Sequence, residues 1–145
     1  MQRKIKEPRK RASVIVIDKP NRRFLMMYRR KKTKKGVTKK YVVPGGGVEK
    51  NESLEQAAIR ELREETTLDV IIDKKITTIK YKNCHDFVFI SNRFKGKPKL
   101  SGEELDESNE NNYYEPKWIK IDDIDKLKIP IYPKSLVKSI KKLFR

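Results

Sequence analysis

The chain has one cysteine, Cys84, and one histidine, His85. A single thiol excludes an internal disulfide and a cysteine zinc cluster, and it makes a reducing, cytoplasmic setting the default expectation. Negative charge is also scarce. Asp and Glu number 20 against 37 Lys and Arg, a net +17 in 145 residues. That excess disfavours basic ligands and favours polyanions such as nucleotides, nucleic acid or an anionic membrane. No run approaches the ~18 apolar residues of a membrane span, so no membrane partner is expected. The opening MQRKIKEPRKR has no apolar stretch behind it and does not read as a secretory signal. The length fits one compact domain.

Residues 1–11 read as a basic arm, and a single domain is expected over 12–145. Within it, Ala12 to Ile17 is a β-branched run short enough for a strand. Phe24 to Tyr28 reads as the returning strand of a hairpin. Residues 29–40 carry eight basic side chains and Gly36, which predicts a solvated surface loop, because like charges this dense repel. Tyr41-Val42-Val43 stops at Pro44, and Gly45-Gly46-Gly47 follows. Three glycines belong where backbone bends sharply or approaches a ligand closely. Ser53 and Gln56 match a capping box, predicting a helix from 53 to about 66. Val70 to Ile72, Ile76 to Tyr81, Phe87 to Ile90 and Trp118 to Ile121 read as strands. Residues 101–112 read as an acidic exposed loop. Asp122 and Asp123 suit the start of a short helix. Leu136, Val137, Ile140, Leu143 and Phe144 form a helical stripe. The order predicts one α+β domain around a mixed sheet.

The helix 53–66 is the informative segment. At ~100° per residue, Glu61, Glu64 and Glu65 point only about 70° from its apolar direction. Carboxylates at i,i+3 and i,i+4 repel, and two of them oppose the dipole at the helix C-terminus. Partial burial adds a desolvation cost. Arg60 and Arg63 can offset this, and so can a divalent cation. All-oxygen donors suit Mg²⁺ or Mn²⁺, and the lack of nearby Cys and His argues against zinc. From the helix alone, a solvated Glu/Arg face is the simpler account. The glycines change the weighting, because a Gly-rich turn feeding a capped helix can set carbonyls and carboxylates around one metal.

Gly46-x5-Glu52-x7-Arg60-Glu61-Leu62-x-Glu64-Glu65-x-Thr67-Leu68 resembles the Nudix box, G-x5-E-x7-R-E-U-x-E-E-x-G-U. Eight of nine defined positions agree over 23 residues. The flanking Pro44 to Glu49 and the later Trp118 to Ile124 are also similar to that family. The departure is Thr67, where the family has a glycine that ends the helix in a left-handed turn. Threonine is poor in that conformation. Asn51 stands where many relatives carry glycine, and asparagine tolerates left-handed backbone.

The resemblance implies an α/β/α sandwich with a mixed sheet. It implies Glu61, Glu64 and Glu65 as metal ligands, with the carbonyl of Gly45 and that of Gly46 as further candidates. It implies Arg60 as the group orienting the glutamates, and Glu52 as its support. The activity implied is MutT-like: Mg²⁺-dependent hydrolysis of a nucleoside diphosphate linked to another group, by water attack at phosphorus. The base is Glu64, Glu65 or a carboxylate of the acidic loop, where Glu103, Glu104 and Glu107 are candidates. The short chain lacks the added N-terminal domain of larger relatives acting on nucleotide sugars, which favours nucleoside triphosphates, ordinary or oxidised. ADP-ribose, dinucleoside polyphosphates and RNA 5′ ends stay open, RNA being unfavoured for want of a motif. The other class is a non-catalytic nucleotide-sensing module, but such relatives usually lose a metal glutamate and all three are present. Lys31, Lys32, Lys34 and Lys35 are candidates for a phosphate-capture rim. His85 reads as structural. Tyr28, Tyr81, Phe87, Phe89 and Trp118 are candidates for stacking a base, with nothing to choose among them. A homodimer is suggested by analogy with relatives alone.

Overall fold

The computed structural model describes residues 7–99 and 111–145. Its elements in order are β1 (Arg9–Asp18), β2 (Arg23–Thr33), β3 (Gly36–Val42), β4 (Gly45–Gly47), α1 (Leu54–Thr66), β5 (Asp69–Ile71), β6 (Lys74–Tyr81), β7 (Cys84–Ser91), β8 (Arg93–Lys95), β9 (Asn112–Lys120), a 3₁₀ helix (Ile121–Lys126) and α2 (Ser135–Leu143).

β1 is the hub of a mixed sheet. It runs parallel to β7, from Arg9 opposite Cys84 to Val16 opposite Ser91, and antiparallel to β4. At its end Ile17 and Asp18 meet Phe24 and Arg23, and β2 then leaves between β3 and β9, antiparallel to both. β6 lies along the far side of β7, and β5 pairs with β8.

Period-2 alternation splits the core into two layers. Ile15, Ile17, Phe24, Met26, Val88 and Ile90 face the side covered by α2, where Leu136 and Ile140 are buried. Ala12, Val14, Val16, Leu25 and Phe89 face α1, meeting Ala57, Ala58 and Leu62. Both faces of β1 are therefore covered, which is why its sequence is a continuous apolar run rather than an alternating one. The arrangement is the expected α/β/α sandwich with a mixed sheet.

Two boundaries differ from the sequence reading. β1 starts at Arg9, so the last three residues read as a basic arm are strand; Arg11 is anchored there by an ion pair with Asp86 at 3.4 Å. Residues 1–6 lie outside the described residues. The basic stretch 29–40 is a two-stranded hairpin rather than a loop. Arg29 lies opposite Lys40, Arg30 opposite Lys39, and the chain turns at Lys34-Lys35. From Lys31 to Lys39 its charges stand in water, Arg29, Arg30 and Lys40 at its base are half-buried, and β9 supports it. The guanidinium carbons of Arg29 and Arg30 lie 5.3 and 5.2 Å from the ring centroids of Tyr114 and Tyr113. Such contacts offset part of the repulsion that cross-strand like charges cause. Of the acidic stretch, residues 101–110 lie outside the described residues, and Asn112 already belongs to β9. Among the described residues no helix is long and apolar enough to cross a membrane.

Candidate active site

The capping box fixes where α1 begins. Ser53 Oγ accepts from the Gln56 N–H at 3.1 Å, and Gln56 Oε1 accepts from the Ser53 N–H at 2.9 Å. At the other end Thr67 takes the left-handed conformation, with φ 65°, and its N–H donates to Arg63 O at 2.9 Å. The turn that glycine makes in the family box is thus built with threonine, and Thr67 Oγ1 donates to Lys97 O at 3.3 Å. Asn51 is also left-handed, at φ 67°.

With its ends set, α1 lays its acidic side against β4. The buried Glu65 carboxylate accepts from the Gly45 N–H at 3.1 Å. Glu61 lies over Gly46 so closely that a Cβ there would collide with the carboxyl carbon and both its oxygens. A Cβ on Gly45 would collide with Ala12 O and with Ser13. Both glycines are therefore required by close approach: one to neighbouring backbone, the other to a carboxylate.

Arg60 ties this corner together. Its Nε and Nη2 donate to the two oxygens of Glu52 at 2.7 and 2.9 Å, a bidentate pair, and Nη2 also donates to Gly47 O at 3.0 Å. Nη1 donates to Glu61 at 2.9 Å and lies 3.4 Å from Glu64. Hydrogen bonds from Arg60, opposed by burial and helped by the Glu49 N–H, hold the Glu52 carboxyl below its ordinary value of 4.5. A depressed carboxyl stabilises the fold above its unfolded-state value, and that contribution is lost as pH falls through the folded-state value. Glu52→Gln is expected to lose about 2 kcal/mol at neutral pH. Thermal melts of both proteins across pH should show the gap in Tm closing below pH 4.5.

The structure brings together Gly45, Gly46, Glu52, Arg60, Glu61, Glu64 and Glu65, all named by the sequence. Glu64, with 53% of its side chain exposed, is the most accessible of the three helix carboxylates. The donors are all hard oxygens, and the missing Cβ at Gly46 leaves room for a carboxylate beside backbone, so the residues fit Mg²⁺ or Mn²⁺. Among the described residues, however, no three Cys, His, Asp or Glu side chains converge as a ready-made metal cage. Arg60 engages Glu61 and Glu64 instead. Glu103, Glu104 and Glu107 lie outside the described residues.

The other candidates scatter. Lys31 and Lys32 lie on β2, and Lys34 and Lys35 at the hairpin turn. The seven residues of β3 separate that turn from Val42, about 23 Å at strand rise. Tyr28 and Phe89 are buried in the core, and Trp118 packs on Phe94 beneath Arg23. Tyr81 instead lines a cleft of about 210 Å³ together with Arg11, Arg29, Lys40, Asp86 and Tyr132. The cleft adjoins the glycine turn, since Arg11 Nη2 donates to Val43 O at 3.3 Å. Beneath it the buried Asp86 accepts from Ser13 Oγ at 2.5 Å, and Ser13 is the residue opposite Gly45. Sequence reasoning missed this cleft. Its members come from six separate segments, and no spacing relates them.

Comparison with known proteins agrees with this fold. Solved structures with the same fold include MutT studied from Aliivibrio salmonicida and Vibrio cholerae, at 22% identity and TM-score 0.69, covering 95% of this chain and 100% of that one. MutT NUDIX hydrolase from Burkholderia pseudomallei aligns at 18% identity and TM-score 0.69, covering 94% and 98%. A NUDIX-family hydrolase from Clostridium perfringens aligns at 20% and 0.69, covering 96% and 99%. Among curated proteins none matches the chain by sequence. The family model for the NUDIX domain matches residues 7–140. The chain therefore belongs to the NUDIX family of pyrophosphate-bond hydrolases.

Proposed function

We propose that this chain is a divalent-cation-dependent pyrophosphohydrolase that cleaves a nucleoside diphosphate linked to another group. A nucleoside triphosphate, ordinary or oxidised in its base, is the leading substrate, giving the monophosphate and pyrophosphate. The observation that carries this reading is the contact between Glu65 and the Gly45 N–H, with Glu61 lying on Gly46. It sets Glu65 and Glu61 of the helix against the Gly45-Gly46 turn, with Glu64 one helical turn on from Glu61.

Glu61, Glu64, Glu65 and the carbonyl of Gly45 would hold Mg²⁺ or Mn²⁺, which neutralises phosphate oxygens and acidifies the attacking water. The protein supplies position and a base. Arg60, fixed by Glu52 and Gly47 O, holds the first of those carboxylates in place and keeps three crowded anions from driving the turn apart. Glu64, the most accessible of the three, takes the proton of the attacking water. The water oxygen bonds to phosphorus, and the bridging P–O bond breaks with its electron pair going to the leaving phosphate. The adjoining cleft receives the nucleoside, with Tyr81 and Tyr132 as ring faces 6.5 Å apart and near-parallel.

Phosphate and pyrophosphate release with Mg²⁺ is to be measured on oxidised dGTP, plain nucleoside triphosphates, ADP-ribose, a dinucleoside polyphosphate and a 5′-triphosphate RNA. Turnover of triphosphates, abolished by chelation, is expected. Turnover of ADP-ribose alone would replace the substrate assignment. Tight nucleotide binding with no turnover of any member would make the chain a sensing module.

A further inference from the structure

The β2–β3 hairpin projects past the core and carries charge of one sign. Between residues 29 and 40 stand eight Lys and Arg and no Asp or Glu. Among the described residues none of the eight is ion-paired with a carboxylate. Register sets cation directly against cation, Arg29 with Lys40 and Arg30 with Lys39, a cross-strand pairing that destabilises a hairpin. Burial, then the charges of Arg29 and Lys31, holds the Lys40 ammonium below its ordinary value. Among the described residues, Arg29 Nε is buried with no hydrogen-bond partner. Repulsion and an orphaned donor at one spot are both relieved by an anion.

A mononucleotide cannot reach the outer part of this array. With its diphosphate at the Gly45 turn, it ends in the cleft, and the Lys34-Lys35 turn lies about 23 Å past Val42. Along one face of β2, Arg29 and Lys31 repeat every second residue, about 6.6 Å apart, a spacing comparable to that of phosphates on a stretched single strand. On that same face β9 sets the half-buried Tyr114 opposite Arg29, while Tyr113, opposite Arg30, lies on the other face and packs on Tyr28. Basic side chains interleaved with aromatic rings on a strand surface are the chemistry of single-strand binding.

We propose that the β2–β3 hairpin, with Tyr114 of β9, is a track for single-stranded RNA. The first nucleoside occupies the cleft, its 3′ phosphate meets Arg29 and Lys40, and later phosphates follow the lysines towards the turn. The placement of the RNA 5′ end rests on the hydrolase reading above; the track does not. A 5′-triphosphate RNA would engage the cleft and the hairpin together, where a mononucleotide engages the cleft alone.

The test is fluorescence anisotropy with a 3′-labelled dodecamer RNA, bearing either a 5′ hydroxyl or a 5′ triphosphate, on the whole chain. The variant replaces Lys31, Lys32, Lys34 and Lys35 with Gln, with circular dichroism to show that it folds. Wild type is expected to bind both RNAs with steep salt dependence. The variant should bind about tenfold more weakly, with the slope of log K against log salt reduced by about 0.7 for each lysine in contact. The loss in kcat/KM on the triphosphate RNA should exceed the loss on a mononucleotide by about the same factor. Equal losses on RNA and mononucleotide, an unchanged salt slope, or a duplex bound as tightly as the single strand would each overturn the track. So would stronger binding to phosphatidylserine vesicles than to RNA, lost in the same variant. Because the 5′-hydroxyl RNA has no bond to cleave, binding of it without turnover of any nucleotide sinks the hydrolase reading alone. Turnover of nucleotides with no RNA binding sinks the track alone.

Discussion

Glu64→Gln should lower kcat by about a hundredfold to ten-thousandfold, the range a positioned proton acceptor supplies, while the melting temperature stays near that of wild type. The two halves of this expectation have separate causes. Glu64 is 53% exposed and lies at the edge of the Arg60 contact, 3.4 Å away, so losing its charge leaves no buried group uncompensated. An amide, however, neither takes a proton from water nor neutralises a divalent cation as a carboxylate does. Glu65→Gln should behave differently. That side chain is buried and accepts from the Gly45 N–H, so its neutralisation should lower both activity and stability. Steady-state kinetics with Mg²⁺ and thermal melts on the two variants give the comparison. Full activity in Glu64→Gln would remove that residue from the chemistry, and a collapse in its stability would make its role structural.

The candidate site on the helix is readable in one dimension because its parts are near one another in the chain. A helix places residues 61, 64 and 65 on one side by its own geometry. The capping pair at Ser53 and Gln56 sets the start of that helix. Thr67 could be read as a defect in the pattern. It nevertheless adopts the left-handed turn, with its hydroxyl bonded to Lys97 O, so the position demands a backbone angle rather than a residue type.

The cleft was opaque for the opposite reason. Ser13 and Asp86 are neighbours only because β1 runs parallel to β7, a pairing across 73 residues that no local pattern announces. Asp86 reads as one polar residue in a strand-like run, and its burial becomes intelligible only with Ser13 and Arg11 beside it. The basic hairpin misled for a third reason. Charge repulsion is a sound argument against packing such a segment in a core, but a ribbon projecting into water is not packed. Its ladder costs little when β9 lines one side. β8, with three residues, is too short to show any period.

Gly46→Ala is the sharper probe of whether the turn and the helix carboxylate share one ligand. The new methyl would land on the Glu61 carboxyl group, the far end of a flexible side chain. Glu61 can swing aside at the cost of its 2.9 Å bond to Arg60, so the fold should survive with a loss of about 1–2 kcal/mol. The displaced carboxylate no longer stands over Gly46. Activity should therefore drop by about a hundredfold, with a higher Mg²⁺ concentration needed for half-maximal rate. Gly45→Ala is the control with the reverse signature. Its methyl meets Ala12 O and Ser13, part of a strand that cannot move aside, so stability should fail first. Mg²⁺ titrations of rate, paired with melts, separate the two. If Gly46→Ala kept full activity at the same Mg²⁺ concentration, Glu61 would not be a ligand, and the close contact that carries the proposed reaction would be packing alone.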